Sequence, residues 1–297
     1  MISHVAERFP QVDGVEHRFV DVRAADGPLR VHLAEAGEGE PLLLLHGWPQ
    51  HWYMWRKLVP LVAPRRQMLM PDLRGFGWTD APGRGYDPET FAADAVALLD
   101  ALELERVQLA GHDWGGYTSF LAGLHHPERF SRILAMNAPV PWARPSPSLL
   151  RQTAMSWYAS VNALPWLGRR VHERSPGWVA ARIRRDLVDP RAITAGEAGI
   201  FARRFMAPER ARAAQLLYRA YQRAFADVLV RRRYDGLRLT VPTRLLFGQR
   251  DTMISEVMTR GWEGHADEFT VELVPDSGHF VADEKPELVA ERILAER

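Results

Sequence analysis

The chain has 297 residues, 46% hydrophobic and 25% charged, the profile of an ordinary globular protein. It holds no cysteine, which excludes disulfides, thiolate metal sites and a thiol nucleophile. The net charge of +1 is uneven: from Arg144 to Gly236 stand 18 arginines, no lysine and 7 acids, so that stretch carries +11 and the remainder −10.

The first residues, Met1 to Pro10, include His4, Glu7 and Arg8 and no apolar core, so they do not read as a signal peptide. No run reaches the ~20 apolar residues of a membrane span. A cytoplasmic protein with no membrane partner is the expectation. Alternating runs at His17 to Arg23 and Leu29 to Ala36, joined by Asp26-Gly27-Pro28, predict two strands and a turn. Pro41 to Leu45, Gln67 to Met70 and Val107 to Ala110 are short apolar runs of the kind buried on both faces of a sheet. Between them, Phe91, Ala95, Leu98, Leu99 and Leu102 fall at helical spacing within Glu89 to Leu102. Trp114 to His125 and Ser131 to Met136 continue as helix and strand. This alternation predicts a mostly parallel sheet with helices on both faces.

The rhythm then stops. From about Ala143 to Asp235 the sequence reads as helices broken by Pro145, Pro147, Pro165, Pro176, Pro190 and Pro208. Its arginines, such as Arg182, Arg184, Arg185, Arg203 and Arg204, read as solvated helix faces and not as a nucleic-acid surface, because one basic face with interleaved aromatics is not evident. Strands return at Pro242 to Phe247 and Phe269 to Val274, before a last helix from Pro286 to Ala295. The expected organisation is therefore a core of residues 1–142 and 237–297 with a helical cap, 143–236, inserted before the last two strands.

The strongest local pattern is Gly111-His112-Asp113-Trp114-Gly115, where a strand runs straight into a helix. It matches the strand–turn–helix of Gly-x-Ser-x-Gly, with Asp in the place of serine. Small residues at 111 and 115 leave room for a strained turn that lifts the central side chain to a helix start. The bland reading of Asp113 alone is a helix cap. A carboxylate in that place acylates poorly but displaces leaving groups at saturated carbon, forming an alkyl ester. Its partners favour chemistry. His46-Gly47-Trp48-Pro49 follows the third predicted strand, so the backbone N–H groups of Trp48 and Trp114 would form an oxyanion hole. Asp251 and His279 stand at the ends of the last two strands, in the chain order nucleophile, acid, histidine. His46, His112 and His265 lack partners at metal-ligand spacing, and Gly75, Gly77, Gly83 and Gly85 do not form a nucleotide loop.

Together His46-Gly-Trp-Pro49, Trp52-Tyr53-Met-Trp55-Arg56, Asp72-Leu-Arg-Gly-Phe-Gly77, Gly111-His-Asp-Trp-Gly-Gly116, Asn137-Ala-Pro139, Gly248-Gln-Arg-Asp251 and Gly278-His279 resemble the epoxide hydrolases of the α/β-hydrolase superfamily. The resemblance spans about Val22 to Arg297 and is looser through the cap. It implies an α/β-hydrolase fold with a helical lid, a small-molecule epoxide as substrate, no metal or organic cofactor, and two lid tyrosines that hold the epoxide oxygen. Those tyrosines would be Tyr158 and Tyr218, with Tyr221 as the alternative second donor. Ala159 departs from the family, which commonly has Gln there. Asn137, an amide, leaves the acid's role to Asp251. Trp142, Trp157, Trp166 and Trp178 fit either a pocket for aromatic or bulky epoxides or, equally, ordinary helix-packing aromatics. Rival readings are a haloalkane or haloacetate dehalogenase with the same nucleophile, an ester or lactone hydrolase, and a non-catalytic ligand-binding fold. A homodimer is left open.

Overall fold

A computed structural model describes residues 9–146 and 157–295. The chain start through residue 8, and residues 147–156 with the Pro147 helix break, lie outside the described residues. The elements run β1 (Glu16–Ala24), β2 (Gly27–Ala36), β3 (Pro41–Leu45), α1 (Val59–Val62), β4 (Gln67–Pro71), α2 (Pro88–Ala101), β5 (Val107–His112), α3 (Trp114–His125) and β6 (Phe130–Met136). Helices follow: α4 (Trp157–Ala163), α5 (Leu167–Arg174), α6 (Pro176–Arg185), α7 (Ala195–Arg204) and the long α8 (Pro208–Arg231). The chain closes with β7 (Thr243–Gly248), β8 (Phe269–Val274), α9 (Val281–Glu284) and α10 (Pro286–Leu294).

The eight strands form one sheet in the order β1-β2-β4-β3-β5-β6-β7-β8. The β1–β2 and β2–β4 pairs are antiparallel and every later pair is parallel, so the expected sheet is found with an antiparallel edge. The cause is local. The Asp26-Gly27 turn makes a hairpin, whereas β3 to β8 are linked by helical crossovers that return the chain in one direction. Leu42 to Leu45, Leu109, Ala110 and Leu134 to Met136 are essentially inaccessible, as apolar runs covered on both faces should be.

Asp72 anchors the loops beside the sheet. Its carboxylate accepts from the Trp52 and Trp78 backbone N–H groups at 2.9 Å each and meets His32 Nδ1 at 2.7 Å. A Cβ on Gly77 would lie 1.9 Å from Asp72 Oδ2, which is why glycine stands there. Arg74 continues the framework by binding Asp94 (2.7 Å) and Asp26 (2.8 Å). Five described helices, α4 to α8, lie between β6 and β7. Their arginines differ from expectation in part. Arg184 and Arg185 are exposed, but Arg204 donates to the Gly77 carbonyl and covers Trp78, and Arg210 is buried and donates to the Phe76 and Thr79 carbonyls. These cations satisfy carbonyl groups of a loop that has no sheet partner.

Candidate active site

Strand β5 ends at His112 and α3 begins at Trp114, leaving Asp113 between them at φ 52°, ψ −114°. A non-glycine residue holds such a conformation only where its surroundings impose it. The glycines make the turn sterically feasible. A Cβ on Gly111 would approach the Gly115 carbonyl oxygen to 2.2 Å, and one on Gly115 would approach that of Leu45 to 2.0 Å. Gly47 has the same function in the facing loop, since its Cβ would lie 2.4 Å from Asp113 Oδ2. That close approach lets the Trp48 N–H donate to Oδ2 at 2.9 Å. The Trp114 N–H, next in the chain, also favours the charged carboxylate. Burial pushes the Asp113 carboxyl up to about 6, although His279 and the two N–H groups pull the other way.

His279 and Asp251 arrive from the ends of β8 and β7. His279 Nδ1 lies 2.9 Å from Asp251 Oδ2, and His279 Nε2 faces Asp113 Oδ1 at 3.8 Å without a hydrogen bond. Burial alone would lower the His279 pKa, but Asp251 and then Asp113 outweigh it and raise it to about 9. Burial likewise opposes ionisation of Asp251, yet His279, the Ile254 N–H and Asn137 hold its pKa below the usual carboxylate value. Asp251 Oδ1 accepts from the Met253 and Ile254 N–H groups at 2.7 and 2.9 Å. Asn137 Nδ2 donates to Asp251 Oδ2 at 2.8 Å and reaches the Gly278 carbonyl at 3.2 Å. It supports the acid and joins the two loops, a contribution its place at the end of β6 signals only once the sheet order is known.

The other candidate histidines, His46, His112 and His265, have structural partners. His46 Nε2 accepts from the Leu73 N–H at 2.9 Å, and its Nδ1 donates to the Gly47 carbonyl at 3.1 Å. Burial lowers its pKa to about 4, so it is a neutral tautomer bracing the loop. His112 is also buried, with Nε2 at 2.7 Å from the His279 carbonyl, and burial takes its pKa to about 3. His265 stacks on Trp142 at 5.3 Å. Pro49 follows a cis peptide.

A cavity open at one side lies over Asp113. Trp48 and Trp114 line its sheet side; Tyr158 of α4 and Tyr218 and Tyr221 of α8 line the helical side. The three phenols are brought together, so the alternative at Tyr221 persists in the geometry. They differ in neighbours: Tyr218 packs edge-on against Trp48 at 5.1 Å, whereas Tyr221 does so against Trp114 at 5.2 Å. Burial raises the pKa of both, so both hydroxyls keep their protons at neutral pH. The pocket reading of the lid tryptophans needs correction. Trp142 is buried with its indole N–H on the Tyr234 carbonyl, Trp166 is 65% exposed, and neither they nor Trp178 line the cavity. Trp157's side chain lies outside the described residues. The wall instead includes Tyr117, Phe225, Val228, Met253 and Ile254, which sequence reasoning missed. The spacing 218, 221, 225, 228 is one helical face and could have flagged Phe225 and Val228.

Among the described residues no cluster of histidine and carboxylate side chains suits a metal ion, and no helix is long and apolar enough to cross a membrane. Comparison with known proteins fits this geometry. Residues 40–188 match the family described as alpha/beta hydrolase fold, and the chain belongs to that family. It is 28% identical over 279 residues to a soluble epoxide hydrolase of Corynebacterium sp. (strain C12), covering 89% of this chain and 92% of that one. Over 124 residues it is 40% identical to mouse epoxide hydrolase 4, covering 40% of this chain and 34% of that protein. The solved structure of Cfl2 from Burkholderia cenocepacia superposes with a TM-score of 0.82 at 28% identity, covering 96% and 97% of the two chains.

Proposed function

We propose that this α/β hydrolase is an epoxide hydrolase, with Asp113 as its nucleophile and Tyr158 and Tyr218 as the donors that receive the epoxide oxygen. The observation that carries the reading is the Asp113 carboxylate, held at the elbow by the Trp48 N–H and faced across one cavity by the phenols of Tyr158, Tyr218 and Tyr221. The names of the Corynebacterium and mouse relatives agree with it. Residues 1–142 and 237–297 act as the core and 143–236 as the cap that carries the tyrosines.

The chemistry runs in two halves. Asp113 attacks an epoxide carbon, the ring C–O bond breaks, and a tyrosine hydroxyl supplies the proton of the new alcohol. The alkyl ester is neutral, so the pull of Asp113 on His279 is lost and the imidazole becomes easier to deprotonate. Oriented by Asp251, His279 then takes a proton from water as that water attacks the ester carbonyl. The oxyanion meets the Trp48 and Trp114 N–H groups that had favoured the charged carboxylate. Collapse returns Asp113 and releases a vicinal diol.

The test is diol formation from a panel of aromatic and aliphatic epoxides, with halide release from haloalkanes and haloacetates followed in parallel. Diol without halide is the expected result. Halide without diol would keep the nucleophile and overturn the role given to the tyrosines.

A further inference from the structure

Arg182 belongs to the basic stretch that was expected to face solvent, yet only 12% of its side chain is exposed. Its Cζ lies 4.6 Å from the centre of the Tyr158 ring, and the guanidinium works against the rise that burial imposes on the Tyr158 pKa. One turn further on, the buried carboxylate of Asp186 holds Arg182 Nη1 at 2.6 Å. The other Asp186 oxygen accepts from Thr252 Oγ1, and the Asp186 carbonyl accepts from the His279 backbone N–H at 3.4 Å. The cation is thus tied into the loops that carry Asp251 and His279. A guanidinium has no acceptor, so one placed beside a phenol leaves the phenol's own hydrogen free for a substrate. It also stabilises the phenolate left when that hydrogen departs, and does so strongly away from bulk water.

We propose that Arg182 is a positioning residue that makes Tyr158 the proton donor of ring opening, with Tyr218 acting as a hydrogen-bond donor that keeps its proton. The proposal rests on the epoxide hydrolase reading above. As Asp113 forms its bond to carbon and the ring C–O bond breaks, the electron pair left on the ring oxygen takes the Tyr158 proton, and the phenolate pairs with Arg182. In the second half, water gives one proton to His279, which passes it to the oxygen leaving the Asp113 carbonyl carbon. The second water proton remains on the regenerated Asp113 carboxyl and returns to Tyr158 through solvent. Epoxide and water are the only reactants.

The charged and titratable groups facing Tyr158 are Arg182 and Asp186 at the end of α6, Asp113 at the elbow, and Tyr218 and Tyr221 on α8. Burial raises the Tyr158 pKa most, Arg182 works against that rise, and Asp186 and Asp113 add to it. Burial raises the Tyr218 pKa most, and Arg182 works against that rise through charge.

The experiment is single-turnover kinetics that separates ester formation from ester hydrolysis. Arg182→Met/Asp186→Asn removes both charges of the pair, and Asp186→Asn alone is its reference. Arg182→Gln is a second neutral variant that keeps a polar side chain beside Asp186. We expect ester formation to slow ~10-fold or more and its alkaline limb to move up by about one pH unit or more. Ester hydrolysis should stay close to the reference, and Arg182→Lys should restore much of the lost rate. Ester formation unchanged in both neutral variants would overturn the proposal. So would both steps falling together with the alkaline limb fixed, the signature of a packing role. Tyr158→Phe separates the two levels: if it forms ester at the wild-type rate, the tyrosine part of the functional reading fails, whatever Arg182 does.

Discussion

On the sheet side of the cavity, the polar atoms around Asp113 are tied to backbone. Its carboxylate is favoured by the Trp48 and Trp114 N–H groups, Asp251 meets those of Met253 and Ile254, and His46 meets the Leu73 N–H and the Gly47 carbonyl. On the helical side the site is made of side chains resting on side chains. Tyr218 leans on Trp48, Tyr221 on Trp114 and Tyr158 on Arg182. Nearby, His172 Nε2 and the Trp48 indole N–H are buried without a hydrogen-bond partner. Backbone-held groups have one position, fixed by the strands, whereas side-chain-held groups shift when a neighbour is replaced. The first wall therefore fixes where Asp113, Asp251 and His279 stand, whereas the places of the three phenols depend on their neighbours.

That contrast is broken most directly at Asp113 and His279. Asp113→Asn should lower turnover by ~10⁴-fold or more with the fold intact, measured as diol formation alongside circular dichroism. Retained turnover would make the sheet side dispensable. On the helical side, Tyr158→Phe and Tyr218→Phe should each slow ester formation by ~10²-fold, and the double variant should abolish it. Tyr221→Phe should leave ester formation almost unchanged; if it is the larger loss, Tyr221 is the second donor. The elbow itself should be intolerant. Gly115→Ala places a Cβ 2.0 Å from the Leu45 carbonyl oxygen and should cost about 3 kcal/mol or more in urea unfolding. Gly177→Ala in α6 meets no atom within 4 Å and should stabilise by about 0.5 kcal/mol.

Two pH effects sharpen the comparison. Ester formation needs Asp113 ionised, so its rate should rise through about pH 6, the value to which burial raises that carboxyl. A limb near pH 4 would show a more solvated nucleophile. For stability, burial lowers the His46 and His51 pKa values from 6.5 to about 4 and about 3. Below pH 6.5 the unfolded chain binds protons on these groups that the folded chain does not yet accept. Stability should therefore fall as pH drops from 6.5 towards 4. An unchanged urea midpoint between pH 7 and pH 5 would contradict that burial.

The sheet side was also the more legible in the sequence. Apolar runs too short for helices marked the strands, and glycines flanking an Asp at a strand-to-helix junction marked the elbow, because a Cβ there has nowhere to go. Asp251 and His279 followed from their positions at strand ends. Asn137 was noted only for being an amide, since its contact with Asp251 needs the adjacency of β6 and β7, which local pattern does not encode. The helical side came through resemblance at Tyr158 and Tyr218 and left Tyr221 undecided, for three phenols within two helices can all reach one cavity. Arg182 was misjudged because charge and helical spacing favour solvent, and only tertiary packing turns it inward. The tryptophans stayed undecided between pocket and packing for the same reason: composition counts them without saying which face they occupy.

The most direct test of the account is one turnover of an epoxide by excess enzyme in ¹⁸O-labelled water, followed by mass analysis of the diol and of the peptide containing Asp113. Attack by Asp113 predicts an unlabelled diol and one ¹⁸O in the Asp113 carboxylate. A labelled diol with no label in that peptide would mean that water attacks the epoxide directly, and would contradict the central claim.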